Sequence, residues 1–325
     1  MGIDGSLTPQ ASRLITLAGA SWSYDVAAAR LHELCGLTVS DNTIRSVCYQ
    51  TAGLIGTWRN QSVAAVQDWT DAEGDWEFQT DGAFINTVDG WREMKLGIFA
   101  RRHRATTAFD RDCPDLRSHP RLPAPHLRWA FAEIAECDVF SERWRPLAGR
   151  LGLSDFTKLT VIADGAEWIW NAAGAQLGGS HGVLDIYHAL QRMNEAVRAI
   201  YGDGTEASSG AMALAKELVY QEGIAGVWAW IGLVLTEENT NARQDVAAGL
   251  FTYFVKHASH MNYAARREQG QNIGSGMVEG GCKQLIGRRL KQTGAKWQPQ
   301  NANRMVELSC VVQTRQWEAY FSMAA

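Results

Sequence analysis

The sequence predicts an α/β protein in which a mixed sheet with flanking helices follows an N-terminal helical module and carries an all-α insertion. Apolar residues recur at helical spacing through residues 9–48, and from Asp75 the period changes to the alternation of a strand. Farther along, the apolar run Lys158–Ala163 lies between helical patterns, which is typical of a buried parallel strand. An antiparallel hairpin followed by strands that alternate with helices indicates a mixed sheet covered by helices.

The N-terminal region has the pattern of a helix-turn-helix. Helices are predicted over Pro9–Gly19 and Tyr24–Cys35, Gly36 ends the second, and Ser40 caps a third. In this interpretation Arg45 lies near the exposed start of the recognition helix and contacts DNA bases. The alternative is an ordinary helical hairpin packed on the rest of the protein.

The remaining pattern divides the chain into four parts. Predicted strands are Trp76–Thr80, Trp91–Arg102, His126–Ala135, Lys158–Ala163 and Val183–Ile186, and a helix follows over Tyr187–Tyr201. Residues 203–263 show no strand pattern, and the chain closes with helices over Gly274–Leu290 and Ala302–Tyr320. We therefore expect a helical DNA-binding module in 1–68, a first catalytic part in 69–202, a helical insertion in 203–263 and a C-terminal catalytic helix and tail in 264–325.

Composition excludes several classes of protein. With 325 residues and a net charge of -4, the chain is not a uniformly basic nucleic-acid coat. Its longest apolar run, Ile224–Leu235, is shorter than the roughly 20 residues that cross a bilayer, so no membrane partner is expected. The six cysteines form no CxxC pair, which favours a reducing compartment. We expect a cytoplasmic, nucleoid-associated protein.

Positive charge is concentrated near the C-terminus. Residues 280–299 hold five cations and no acid: Lys283, Arg288, Arg289, Lys291 and Lys296. Such a segment predicts a local groove for a polyanion, and Trp297 directly after it is a candidate for contact with DNA. The alternative for the cations is a solvated helix face.

Acidic residues follow two predicted strands. Asp81 and Asp164 each precede a glycine at what the pattern indicates is a strand end. Ligands gather outside the carboxyl ends of parallel strands, so Asp164 is expected in a functional site. Each aspartate alone is also an ordinary turn residue, an explanation that weakens when both are considered together.

Glu279 is not explained by helix capping. A capping box starting at Ser275 requires Glu or Gln at position 278, which is a valine. The flanking Gly280 and Gly281 weaken a helix, which predicts close approach of a sheet or a DNA backbone. The alternative for Glu279 is a surface ion pair with Lys283.

Five segments together resemble the ISKra-type insertion-sequence transposases. They are Thr80-Asp81-Gly82, Ile162–Trp170, Leu184–His188, Ile273–Glu279 and Arg288–Trp297. The last two are the most specific, since a Gly-Ser-Gly, a glutamate and an Arg-Leu-Lys-x-x-Gly-x-x-Trp stretch rarely coincide at this spacing. The resemblance extends over nearly the whole chain.

This resemblance implies an RNase H-like fold with Asp81, Asp164 and Glu279 as an Asp-Asp-Glu triad. The triad would hold two Mg²⁺ ions, with Mn²⁺ as an alternative, for cleavage and strand transfer at the ends of an insertion sequence. The implied partners are double-stranded DNA, both element ends and target, and further copies of the chain in a homodimer or higher oligomer. Asp185 and His188 are auxiliary candidates, His188 as a proton shuttle, a substrate contact or a structural histidine.

Two other functions remain open at this stage. A domesticated, transposase-derived DNA-binding protein would keep the basic groove without catalysis, and a structure-specific nuclease would cleave without joining strands. The presence of all three acids favours an enzyme.

Overall fold

The computed structural model describes residues 7–106, 122–238, 240–314 and 316–323. The chain begins with helices α1 (Pro9–Ser21), α2 (Tyr24–Cys35), α3 (Asp41–Gln61) and α4 (Gln67–Thr70). The Ser40 hydroxyl accepts the Thr43 N–H at 3.1 Å, and Gly36 adopts a left-handed φ of 66° that ends α2. The predicted caps of the helix-turn-helix pattern are therefore confirmed, and α3 continues well past the predicted segment.

The centre of the protein is a five-stranded mixed sheet. Its strands are β1 (Asp75–Thr87), β2 (Gly90–Arg102), β3 (Leu127–Glu133), β4 (Leu159–Ala163) and β5 (His181–Leu184). Their order is β3-β2-β1-β4-β5, with β1, β2 and β3 antiparallel, β4 parallel to β1, and β5 parallel to β4. The predicted α/β class with a mixed sheet is confirmed.

The strand ends differ from the prediction at both proposed turning points. Asp81 was expected to end its strand, yet β1 continues to Thr87 because β2 pairs with it along its whole length, with Asp81 opposite Leu96. Asp81-Gly82 has residue types that are typical of a turn, but both residues are part of the extended strand β1. Likewise β5 ends at Leu184, since the Asp185 side chain caps the helix that starts at Ile186.

Helices cover both faces of the sheet. They are α5 (Cys137–Glu142), α6 (Trp144–Arg150), α7 (Glu167–Gln176), α8 (Ile186–Tyr201), α9 (Glu206–Glu222), α10 (Ile224–Glu237), α11 (Asn241–His257), α12 (Tyr263–Glu268), α13 (Gly276–Gly281), α14 (Arg288–Leu290), α15 (Pro299–Val312) and α16 (Gln316–Met323). A π-helical segment, Cys282–Gly287, joins α13 to α14, and the three form what we call the composite helix 276–290. The predicted final helix is two helices, α15 and α16.

The N-terminal helices share one hydrophobic core with the sheet and with α15. Ile44 and Ile55 of α3 belong to the same buried cluster as Leu96 and Ile98 of β2 and Val306 of α15. The predicted boundary at residue 68 therefore falls inside a continuous core. The independent folding of residues 1–68 stays a prediction.

A buried arginine strengthens this connection. The Arg59 guanidinium of α3 donates to Glu307 of α15 at 2.7 Å and to the Ala130 carbonyl of β3 at 2.6 Å. It also lies 4.4 Å above the Trp129 ring. Charge-assisted hydrogen bonds of this kind hold three elements from distant parts of the sequence together.

The region predicted as an insertion packs on the other end of the sheet. Within its described residues, α9 to α11 and a short 3-10 turn form the structure, and no strand occurs. Phe254 of α11 and Val197 of α8 share a core with Ile162 of β4 and Val183 of β5. No helix in the described part of the chain is long and apolar enough to cross a membrane. The five cysteines among the described residues are free, and Cys113 lies outside them.

We expect a 69–325 fragment to lose cooperative folding, because it exposes the apolar surface that α1 to α3 cover. Thermal melting followed by circular dichroism tests this. As a control, Ile44→Ala in the intact chain should lower the free energy of unfolding by about 2–5 kcal/mol in a single transition. A fragment that melts as sharply as the intact protein would show that the N-terminal helices are separable.

Candidate active site and nucleic-acid interface

Asp81 lies in the middle of β1 beneath the composite helix. Its Oδ1 accepts the Gly82 N–H at 2.7 Å, and its Oδ2 lies 3.9 Å from the Cys282 thiol. Cys282 is one helical turn beyond Glu279 on the composite helix. The composite helix therefore places Glu279 near Asp81.

Asp164 comes directly after β4, at the carboxyl end of that strand. Gln79 of β1 pairs with Ile162 of β4, so two residues farther along both strands Asp81 and Asp164 are neighbours across the sheet. The Asp164 Oδ1 accepts the Ala166 N–H at 3.0 Å in the turn that leads into α7. Asp164 is therefore a turn residue and also a neighbour of Asp81.

Glu279 is oriented by a hydroxyl group rather than by a cation. Ser275 donates its hydroxyl hydrogen to the Glu279 Oε1 at 3.0 Å. Within the described residues, no ion pair joins Glu279 to Lys283. A Cβ on Gly281 would lie 2.8 Å from Leu96 and 2.9 Å from Ile98, so this glycine lets the helix approach the sheet closely. Gly280 has open space around it, and nothing in the structure explains that glycine.

A segment with no regular structure, residues 272–275, leads into the composite helix and is fixed by buried side chains. Gln79 of β1 accepts the Val278 N–H at 3.1 Å and donates to the Gly274 carbonyl at 3.3 Å. The Ile186 N–H donates to the Ile273 carbonyl at 3.1 Å. Gln79 is not among the residues predicted from the sequence, although a polar residue in the middle of a buried strand is a signal for it.

Asp185 and His188 form a hydrogen-bonded pair at the same end of the sheet. The fully buried Asp185 accepts the Ser275 N–H through Oδ1 at 2.7 Å. Its Oδ2 accepts the His188 backbone N–H at 3.1 Å and the His188 ring Nδ1–H at 2.7 Å. Because the carboxylate can only accept, we assign the ring proton to Nδ1, which leaves Nε2 as the second functional atom of His188.

The pKa shifts indicate that these groups interact. Burial raises the pKa of Asp81, and the carboxylates of Asp164 and Glu279 raise it further against the opposing effects of the Gly82 N–H and His188. The hydrogen bond to Asp185 raises the pKa of His188, and the negative charges of Asp164 and Glu279 raise it further. The structure therefore brings the three predicted acids and both auxiliary candidates into one electrostatically coupled site.

The donor set fits a divalent cation. One ligand atom from each of Asp185, His188 and Glu279 lies within 4.8 Å of the other two. Carboxylate oxygens suit Mg²⁺ and Mn²⁺, whereas an imidazole nitrogen is typical of zinc, copper, iron or nickel sites. This group could hold a metal ion, although Asp185 and His188 are close because they are hydrogen-bonded to each other. Among the described residues, Asp81, Asp164 and Glu279 do not form such a compact group.

Exposure divides the predicted DNA-binding residues into two groups. The exposed cations are Arg45, Lys283, Arg288, Lys291 and Lys296. Arg45 and Lys296 line one open cleft of about 570 Å³, so the start of α3 and the C-terminal basic segment meet there. These residues are placed where a polyanion can reach them.

Arg289 and Trp297 do not fit the predicted role in DNA contact, because both are buried. The Arg289 Nε donates to the Gly19 carbonyl of α1 at 2.8 Å, and its guanidinium lies between the Tyr24 and Trp297 rings at 4.8 and 5.0 Å. The Trp297 indole N–H donates to the Leu290 carbonyl at 3.0 Å. Arg289 thus attaches the C-terminal segment to α1, and Trp297 supports Arg289 within that segment.

In the presence of a chelator, we expect Asp81→Asn to raise the melting temperature. Folding raises the pKa of Asp81, so the ionised carboxylate is penalised in the folded state and stability falls as pH rises through that pKa. Mg²⁺ or Mn²⁺ should stabilise the wild type, by about 2.7 kcal/mol at 100 times the dissociation constant, and the variant far less. Glu217→Gln, on the exposed face of α9, is the control. A variant less stable than the wild type in chelator would contradict this.

Arg288 and Arg289 form a matched pair that separates the two groups of cations. Arg288→Ala should leave the melting temperature unchanged and reduce the slope of log affinity against log salt for DNA by about 0.9. Arg289→Ala should instead destabilise the fold by about 1–3 kcal/mol, since it leaves the Gly19 carbonyl without its donor. Salt titrations and thermal melts measure both. An Arg289→Ala variant that melts like the wild type but has a reduced salt dependence of DNA affinity would indicate that Arg289 contacts DNA.

Comparison with protein-family models finds none that matches this chain. Comparison with curated proteins likewise finds no match. The basis for a function is therefore the set of side chains that the fold brings together.

Proposed function

We propose that this protein is a DNA transposase of the ISKra type, which cleaves phosphodiester bonds at the ends of an insertion sequence and transfers the strands to target DNA. The observation that carries the proposal is the convergence of Asp81, Asp164 and Glu279 at one end of the sheet. These acids come from a strand, the end of its parallel neighbour and a C-terminal helix. Carboxylates in such a group suit metal-dependent phosphoryl transfer.

The sheet supports an RNase H-like core as part of this proposal. Three antiparallel strands are followed by two strands parallel to the first, in the order β3-β2-β1-β4-β5. Asp81 lies on the central β1 and Asp164 directly follows β4, an arrangement that supports assigning both to the triad. The helices α9 to α11 lie between the second and third acids, where an insertion is expected.

Each residue has a distinct part in the proposed reaction. Asp81 on the central strand β1, Asp164 and Glu279 would together hold two metal ions through their carboxylates. When bound, two such ions stabilise the charge on the attacking and leaving oxygens. Ser275 orients Glu279 by hydrogen bonding. His188 can exchange a proton at Nε2, because Asp185 fixes its tautomer.

The exposed cations define the DNA surface in this proposal. Arg45 lies on α3, whereas Lys283 and Arg288 lie on the composite helix. Both helices contribute to one core, so a duplex bound to these cations has a fixed position relative to the acids. Two element ends require two active sites. We therefore propose a homodimer or higher oligomer on double-stranded DNA.

We expect Asp81→Asn, Asp164→Asn and Glu279→Gln each to abolish Mg²⁺-dependent cleavage of DNA that carries the ends of the surrounding genomic element. Each substitution removes a ligand charge at nearly constant shape, so folding and DNA binding should persist. Gel analysis of cleaved and joined products, together with a binding measurement in Ca²⁺, tests this. Ca²⁺ should support binding without turnover, because its coordination is longer and looser.

Glu217→Gln is the matched acid-to-amide control and should cleave normally. Retained cleavage in one of the three variants would remove that residue from the triad. Cleavage without strand joining by the wild type would indicate a nuclease, and specific binding without cleavage would indicate a DNA-binding regulator.

A further inference from the structure

A second cleft starts beside the proposed active site. It begins at Gly165, the residue after Asp164, and extends between α7, α8 and α11 with a volume of about 880 Å³. Clefts that bind small molecules have about 300–1,000 Å³. Its principal side chains are Trp170, Arg192, Tyr253, Lys256, His257 and His260.

Aromatic rings form one wall of this cleft. The Trp170 ring stacks on His260 with centroids 4.2 Å apart, and the Tyr253 ring lies 5.0 Å from His257. A Cβ on Gly165 would collide with the Tyr253 hydroxyl, so the glycine allows this wall to reach the residue next to Asp164. A flat ring entering the cleft would meet π faces within reach of the acids.

Three buried nitrogen atoms on this wall have no partner in the described part of the chain. They are Trp170 Nε1, His257 Nδ1 and His260 Nδ1. Buried polar atoms in native proteins are nearly always paired, and His257 is only 6 % exposed. Burial lowers the pKa of both histidines, so at neutral pH their rings are uncharged. Because the three nitrogen atoms are buried, the wall presents the faces of neutral rings to a ligand.

The rim carries positive charge that can hold a phosphate. Lys256 is exposed and, among the described residues, has no acidic partner. Arg192 lies 5.0 Å above the Tyr253 ring and pairs with Glu195 at 3.0 Å. Glu167 also lies at the rim, so the cleft favours an anion at the Lys256 side rather than throughout.

We propose that this cleft binds an unpaired nucleotide of a DNA strand that passes the proposed acids at Asp164. The base stacks on the aromatic wall, and its phosphate contacts Lys256. This assignment rests on the proposed function, since it extends the path of the substrate strand beyond the acids.

The test compares two DNA probes bound by the full-length protein in Ca²⁺. One is a short blunt duplex, and the other is the same duplex with a single-stranded extension that carries 2-aminopurine. We expect about tenfold tighter binding of the extended probe, equal to about 1.4 kcal/mol, together with quenching of its fluorescence. Tyr253→Leu and Lys256→Ala should remove the preference while leaving affinity for the blunt duplex unchanged. Lys216→Ala, an exposed lysine on α9 outside the cleft, should retain it.

Equal affinity of the wild type for the two probes, or a preference that survives Lys256→Ala and Tyr253→Leu, would overturn the assignment. Preference without metal-dependent cleavage would support the cleft and overturn the proposed catalytic function. Metal-dependent cleavage without a preference for the extended probe would support the catalytic function and overturn the cleft assignment. Failure to bind either probe would overturn both the cleft assignment and the proposed function.

Discussion

The position of Glu279 depends on a buried carboxylate that does not belong to the proposed triad. Burying the charge of Asp185 is expensive unless its oxygens receive hydrogen bonds, and here the Ser275 N–H, the His188 N–H and the His188 ring supply them. These donors come from the segment before the composite helix and from α8. Asp185 therefore joins the end of β5 to the start of the helix that carries Glu279, and a change at Asp185 acts on both.

Strand β1 supplies the other half of the support. Its alternate residues Glu77, Gln79 and Asp81 share one face because side chains in a strand repeat with a period of two. Glu77 accepts hydrogen bonds from Arg102 at 2.6 Å and from Asn272 at 3.0 Å, and Gln79 holds the first turn of the composite helix. This face is thus a ladder of buried polar contacts that ends at Asp81. The contacts that attach the composite helix to β1 therefore also determine the position of Glu279 relative to Asp81.

Local patterns predicted the caps, the hairpin and the parallel strands, because those features depend on neighbouring residues. They failed where partners distant in sequence decide the outcome. Asp81-Gly82 resembles a turn, yet pairing with β2 keeps it extended. Arg288 and Arg289 look equivalent in a basic run, but a rotation of one helical position turns Arg289 into the core and leaves Arg288 exposed. The role of Asp185 as a support could not be predicted because its partner Ser275 is ninety residues away.

The shared core gives a physical reason why DNA contact and the acids are coupled in the proposed function. Arg289 lies on the composite helix that carries Glu279, and its bond to the Gly19 carbonyl fixes that helix against α1. Arg45 is exposed on α3, and the preceding residue Ile44 belongs to the buried cluster that α3 shares with the sheet and α15. In the proposed function, packing within this shared core therefore sets the distance from a duplex on Arg45 and Arg288 to Asp81.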